Sequence, residues 1–163
     1  MPDCREPGMS SEPATELRPA HPQDAEMIRD LVRAAYAKWV PLIGREPMPM
    51  QVDYTRAVRE HQFELLWRDG RLIGLIETMR HSDHLWIENV AVRPDHQGQG
   101  IGRQLLVHAE HKAARAGLAE LRLLTNAAFE ANIALYRRVG YAIDRQEPFM
   151  GGTTVYMSKR LSG

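Results

Sequence analysis

The stretch HQGQGIGRQLL, residues 96–106, places glycines at 98, 100 and 102, immediately before an apolar helical pattern. Glycines let backbone approach a ligand closely, and the free N–H groups at a helix start, aided by the macrodipole, favour an anion. The same glycines also fit a strand-to-helix turn that binds nothing. Spacing tests two common phosphate grips. A dinucleotide fingerprint G-x-G-x-x-G needs its third glycine at 103 or 105, where Arg103 and Leu105 stand. A P-loop needs a lysine and a Ser or Thr after its last glycine, and Gly102 is followed by Arg103 and Gln104. The first is disfavoured and the second fails.

Other residues with chemical potential carry less. His108 and His111 lie three apart on one helical pattern, but no third ligand is in view, so no metal site is expected. His81, His84 and His96 are scattered and read as surface or loop residues. Asn126 stands just beyond a strand end, as a cleft residue or a helix cap. The single cysteine, Cys4, cannot form an internal disulfide, which suits a reducing compartment.

These residues must be positioned by the surrounding elements, whose pattern alternates between strand and helix. Thr15 to Pro19 reads as a short strand. Pro22 opens a helix with Ala25, Ile28, Leu31, Val32, Ala35 and Tyr36 at helical spacing. Pro41 to Gln51 is irregular, and Asp53 to His61 forms a second short helix. Phe63 to Trp67 and Leu72 to Met79, joined through Asp69-Gly70, read as a hairpin. His84 to Val92 is apolar on both faces, Leu85, Ile87 and Ala91 alternating with Trp86, Val90 and Val92, so a central strand covered on both sides is expected. A helix over Ile101 to Ala116, a strand over Leu118 to Thr125, a helix over Phe129 to Val139, and strands over Tyr141 to Gln146 and Thr154 to Arg160 follow. That order is an α/β or α+β mixed sheet with helices on both faces.

The chain has 163 residues, 44% hydrophobic and 26% charged, which fits one compact domain over residues 14–163 behind a disordered leader over residues 1–13. Lys plus Arg equals Asp plus Glu at 21 each, so there is no basic footprint of a nucleic-acid binder. No apolar run approaches the roughly 20 residues needed to span a bilayer, and no signal peptide is visible. A soluble cytoplasmic protein, without a nucleic-acid or membrane partner, is expected.

Read as Q-x-x-G-x-G, residues Gln97, Gly100 and Gly102 resemble the acetyl-coenzyme A pyrophosphate loop of the GNAT N-acetyltransferase superfamily. ENVAVRPDHQGQGIG, residues 88–102, is similar to that family's central strand and loop, including the step from Val92 to Pro94. NIALYRRVGY, residues 132–141, is similar to its N-x-x-x-Y-x-x-x-G-[FY] signature. The resemblance covers roughly residues 15–161 and is most specific over 85–141.

The resemblance implies the GNAT fold, with acetyl-CoA as cofactor. The strand matching Val90, Ala91 and Val92 would splay from its parallel neighbour, Leu121 to Thr125, and its backbone would hold the pantetheine arm. N–H groups over Gln97, Gly98, Gln99, Gly100, Ile101, Gly102 and Arg103 would hold the pyrophosphate. Arg103 adds charge there or is simply a solvated arginine; a cation at a helix start opposes the dipole unless an anion is present. Asn132 matches the family asparagine at the pantetheine region, or else is a cap or surface amide.

The chemistry needs a base and an acid. A lysine-like amine has a reference pKa of about 10.4 and an α-amine about 8, so much of either is protonated at neutral pH and cannot attack a thioester. The departing thiolate belongs to an acid of pKa about 8.5, by analogy with cysteine, so a proton donor assists it. The family pattern puts Tyr136 beside the thioester sulfur; spacing alone would make it a core tyrosine with Ile133, Leu135 and Val139. Glu88 is the preferred base, acting through water, because a carboxylate on a central strand is costly unless it is paired or borders a cavity, and partial burial would raise its pKa. A structural ion pair is the alternative.

The segment between the first two helices matches one wall of the family's acceptor site, so Gly44, Arg45, Met48, Pro49, Met50 and Tyr54 are expected there, with Glu77. Met48 and Met50 suit a flexible apolar lid or a packed loop. Arg45 suits a carboxylate on the acceptor, and Glu77, Glu88 and Asp53 suit a cation. The expected activity is acetyl transfer to a primary amine of a small molecule or amino acid by direct attack, with no acetylated cysteine. Acetylation of a protein N-terminus or lysine, and a non-catalytic acyl-CoA sensor, are the alternatives. Tyr141 to Leu161 offers an edge for a homodimer, which no residue demands.

Overall fold

The computed structural model of the protein describes residues 15–162. The leader expected over residues 1–13, with Cys4, lies outside them. The chain forms β1 (Thr15–Pro19), α1 (Ala25–Tyr36), α2 (Val40–Ile43), α3 (Tyr54–Glu60), β2 (Gln62–Arg68), β3 (Arg71–Arg80), β4 (Leu85–Val92), α4 (Ile101–Arg115), β5 (Glu120–Asn126), α5 (Glu130–Arg138), β6 (Ala142–Phe149) and β7 (Gly152–Arg160). The strands make one mixed sheet in the order β1-β2-β3-β4-β5-β7-β6, in which β4 and β5 are the parallel pair. Among the described residues no helix is long and apolar enough to cross a membrane.

Two apolar clusters sandwich the sheet. Ile28, Leu31, Val32 and Ala35 of α1 are spaced to one stripe and pack on Leu65, Leu72 and Leu75. On the opposite face Ile101, Leu105, Leu106, Ala109 and Ala113 of α4 pack on Ile73, Ile76, Ile87 and Leu121. The helix can lie this close because Gly74 of β3 has no side chain. A Cβ there would stand 3.2 Å from Ile101 Cγ2, 3.3 Å from the Ala91 carbonyl and 3.3 Å from Leu105 Cδ1.

The expected elements are present, with three differences. The segment over residues 41–51 is not wholly irregular: it carries most of α2 and a 3₁₀ turn at Met48–Gln51, each with a proline in its first turn, where the missing N–H costs nothing. The last two strands are longer than expected and meet at Met150 and Gly151, whose φ values of 48° and 79° make a tight turn. Pro148 is tolerated within β6 because that strand is the sheet edge.

The third difference is on β4. Against β3, Ile87 pairs with Thr78 but Asn89 pairs with Glu77, so Glu88 is an extra residue, a β-bulge. The bulge reverses the alternation expected for this strand. Leu85 and Ile87 share the α4-side cluster with Val90 and Val92, whereas Ala91 joins the α1 side. The strand is central and covered by α4 on one face and α1 on the other, as expected, but Glu88 is exposed and Val90 and Val92 are only half-buried.

Gly74→Val should lower the unfolding free energy by about 1–3 kcal/mol, the usual cost of forcing extra methyl groups into a packed contact. Urea unfolding reads this as a lower midpoint at constant slope, and an unchanged midpoint would mean that α4 does not press on β3 here.

Candidate active site

β4 and β5 pair only at Leu85–Leu121, Trp86–Arg122 and Ile87–Leu123. Beyond that, β4 stays bonded to β3 as far as Val92–Gly74, while β5 stays bonded to β7 as far as Asn126–Thr154. The two strands therefore diverge as a wedge, the splay expected at Val90 to Val92. The inner edges of both strands are left without a ladder partner and open to a ligand with amide groups of its own.

A cavity of about 470 Å³ occupies the β4 side of the wedge. Val90, Ala91, Val92, Gln97, Gly98, Gly100, Ile101, Gly102, Arg103 and Asn132 line it, all expected at the cofactor; Gln99 does not, its side chain accepting from Arg68 Nη1 at 3.0 Å. Gly98 and Gly100 take φ of 79° and 80°, left-handed conformations that let the loop turn into α4 with its first N–H groups free. Gly102 serves packing instead, since a Cβ there would stand 3.0 Å from Leu135 Cδ2 of α5. Lys38, Arg103 and Arg138 add positive charge along the same cavity. With free helix N–H groups and three cations, this end suits an anionic phosphate group, and the wedge suits an amide-bearing arm.

Gln97 ties the loop down: its amide donates to the Val92 carbonyl at 3.0 Å and accepts from Lys38 Nζ at 2.8 Å. Lys38 also lies over the Trp39 ring at 4.7 Å, and its pKa is lowered by partial burial.

A second cavity of about 280 Å³ opens on the other side. Arg45, Met48, Pro49, Tyr54, Glu77 and Glu88 line it, as expected of an acceptor wall. Gly44 and Met50 do not. Gly44 ends α2 with φ 73°, and Met50 is buried with its carbonyl accepting from Arg33. Asp53 caps α3, accepting from the backbone of Thr55 and Arg56, so its carboxylate is engaged away from a cation.

The two carboxylates in this cavity differ from expectation. Glu88, turned out by the bulge, is exposed rather than partly buried, and accepts from Trp86 Nε1 at 2.8 Å. It forms no ion pair among the described residues. Glu77 is the buried one, 3% exposed, with its pKa raised by burial and held back by His61, whose Nδ1 is 2.6 Å from its Oε2. Beside them, buried Asn89 accepts from Tyr36 OH at 2.7 Å and faces Tyr54 OH at 3.4 Å; Tyr54 in turn donates to the Pro49 carbonyl at 2.7 Å.

Four residues, Tyr36, Val90, Asn132 and Tyr136, line both cavities and mark where they meet. Burial pushes the Tyr136 phenol up to about 12, so the hydroxyl stays protonated at neutral pH and is a donor to whatever reaches the junction. Tyr36 is held above the usual tyrosine range by burial and then by neighbouring tyrosine and carboxylate charge. Across the wedge, Trp39 stacks on Phe129 with centroids 4.5 Å apart.

Sequence reasoning missed His61, Asn89, Tyr36 and the Trp39–Phe129 stack as parts of the site. Asn89 left a signal, a second consecutive polar residue in an otherwise apolar strand. Tyr36 was absorbed into the apolar stripe of α1, and His61 gave no local signal.

Residues 25–141 match the Acetyltransferase (GNAT) family. The ribosomal protein bS18-alanine N-acetyltransferase of Escherichia coli K12 is 37% identical over 76 residues, 47% of this chain and 51% of that protein. Streptothricin acetyltransferase of Streptomyces lavendulae is 35% identical over 82 residues, 49% of this chain and 43% of that protein. The chain thus matches about half the length of these relatives. The crystal structure of PaiA N-acetyltransferase from Thermoplasma acidophilum in complex with coenzyme A has a TM-score of 0.76 at 19% identity, covering 91% of this chain and 99% of that one. It shares the fold, and the family match runs through the wedge, the glycine loop and Tyr136: the chain belongs to the GNAT acetyltransferase family.

Proposed function

We propose that the protein is an acetyl-CoA-dependent N-acetyltransferase acting on a primary amine of a small molecule or amino acid. One observation carries the reading: the β4–β5 wedge joins a cation-lined glycine loop to a carboxylate-lined cavity, with the Tyr136 hydroxyl at the junction. The unpaired edge of Val90 to Val92 and the loop over Gln97 to Arg103, with Asn132, fit coenzyme A. When bound, acetyl-CoA supplies an acetyl thioester.

The remaining roles belong to the chain's own residues. The exposed Glu88 carboxylate meets the acceptor's ammonium and draws its proton through water. The free amine would then bond to the acetyl carbon, giving up its second proton to a base or water of the cavity, while the C–S bond breaks with its electron pair leaving on sulfur. Tyr136, protonated at neutral pH, donates to the departing sulfur. Arg45, the permanent cation of the acceptor cavity, would meet a carboxylate on the acceptor.

One feature favours a second acceptor class, a peptide N-terminus or lysine. Met48, Val52, Leu124 and Phe149 stand exposed around the acceptor cavity and offer apolar contact beyond the reacting amine.

A coenzyme A release screen over amino acids, polyamines, aminoglycosides and peptides tests the reading and separates the two classes. Release with at least one primary amine is expected; no release, together with no acetyl-CoA binding by calorimetry, would overturn the proposal. Tyr136→Phe should lower kcat by about 10²-fold, the lower range for a lost general acid, with little change in acetyl-CoA affinity. An unchanged kcat removes Tyr136 from the acid role. Glu88→Gln should raise KM for the acceptor and leave acetyl-CoA affinity unchanged; an unaltered KM would separate Glu88 from the amine.

A further inference from the structure

His61 stands where α3 ends and β2 begins. Its backbone N–H donates to the Ala57 carbonyl at 2.8 Å, and the next residue, Gln62, already pairs with Thr78 of β3. That register brings the ring against Glu77, the neighbour of Thr78, with Nδ1 2.6 Å from Oε2. A carboxylate bonded at Nδ1 selects the tautomer with the proton there, which leaves the Nε2 lone pair available. Among the described residues Nε2 makes no hydrogen bond, and the ring, 24% exposed, forms part of the acceptor cavity wall.

A carboxylate as buried as Glu77 is costly without a counter-charge, and protonation of His61 supplies one. The contact therefore gives the buried carboxylate a partner able to carry a positive charge. Imidazoles, with a reference pKa of about 6.5, are better matched to taking a proton near neutral pH than carboxylates at about 4.3. The other titratable groups around this cavity do not compete for it. Tyr54 of α3, Tyr36 of α1 and Tyr136 of α5 are all held protonated by burial, and Arg45 is a permanent cation. Glu88 of β4 is the other carboxylate of the cavity wall.

Resting on the N-acetyltransferase reading, we propose that His61 is a catalytic base that keeps the proton released by the acceptor amine, with Glu77 as its positioning residue. The ammonium's first proton leaves through the water at Glu88; as the resulting free amine nitrogen bonds to the acetyl carbon, its second proton passes to Nε2. The C–S electron pair leaves on sulfur, which accepts a hydrogen bond from Tyr136. Charge balances as imidazolium and thiolate.

The test is the pH dependence of kcat/KM, at saturating acetyl-CoA, with the best amine from the release screen. His61→Gln should lose about 10²-fold in kcat, with acetyl-CoA affinity by calorimetry kept, and should lose the acid-side inflection of the wild-type profile. Added imidazole should restore part of the rate of His61→Ala, which also shows that the variant is folded. Glu77→Gln should keep the inflection but move it to lower pH, because removing the anion disfavours the imidazolium. An active wild type beside a His61→Gln variant of equal rate and profile would overturn this proposal alone. A wild type that releases no coenzyme A with any amine would overturn the acetyltransferase reading and the base with it.

Discussion

The site depends on a sheet that is pulled open from within. β4 and β5 are parallel neighbours that share three residue pairs and then part, while each stays held along its other edge by an antiparallel partner that continues further. The ladder bonds to β3 and β7 keep both arms of the wedge extended, so the opening is lined by strand backbone. Everything attributed to the site hangs on this opening: the unpaired edge of Val90 to Val92, the glycine loop beyond it, and Tyr136 where the two cavities meet.

The bulge at Glu88 is the second device on the same strand, and it sits one residue past the last β4–β5 pair. By inserting one residue it turns Glu88 out toward the cavity and puts Asn89 on the face of α1, where its amide meets Tyr36 and Tyr54. Buried polar groups survive there because they satisfy one another. The two carboxylates are thereby given different surroundings, Glu88 exposed and Glu77 buried against His61. Two acids in one cavity in different environments are suited to different work.

Long-range ties hold the helices to this frame. Gln97 links the Val92 carbonyl to Lys38, and the Trp39–Phe129 stack joins the start of α2 to the start of α5 across the wedge. Gly74 and Gly102 are the close-approach points that let α4 reach β3 and α5. Small residues matter here for what they leave unfilled, which is why one loop's glycines divide between conformation at 98 and 100 and packing at 102.

Local patterns in the sequence determined the elements. The stripe of Ile28, Leu31, Val32 and Ala35, the Asp69-Gly70 turn, and the glycines ahead of Ile101 each encode their structure within a few residues. Motif spacing extended that reading to the family and, with it, to the wedge. Tertiary structure alone decided which polar groups meet. The bulge exists only as a register against β3; His61 and Glu77 are 16 positions apart, and Trp39 and Phe129 belong to opposite halves of the chain. Burial likewise follows from what covers a residue, so the sequence placed a partly buried carboxylate at Glu88 while packing put the buried one at Glu77. Periodicity is a property of neighbours along the chain, whereas partners and burial are properties of neighbours in space.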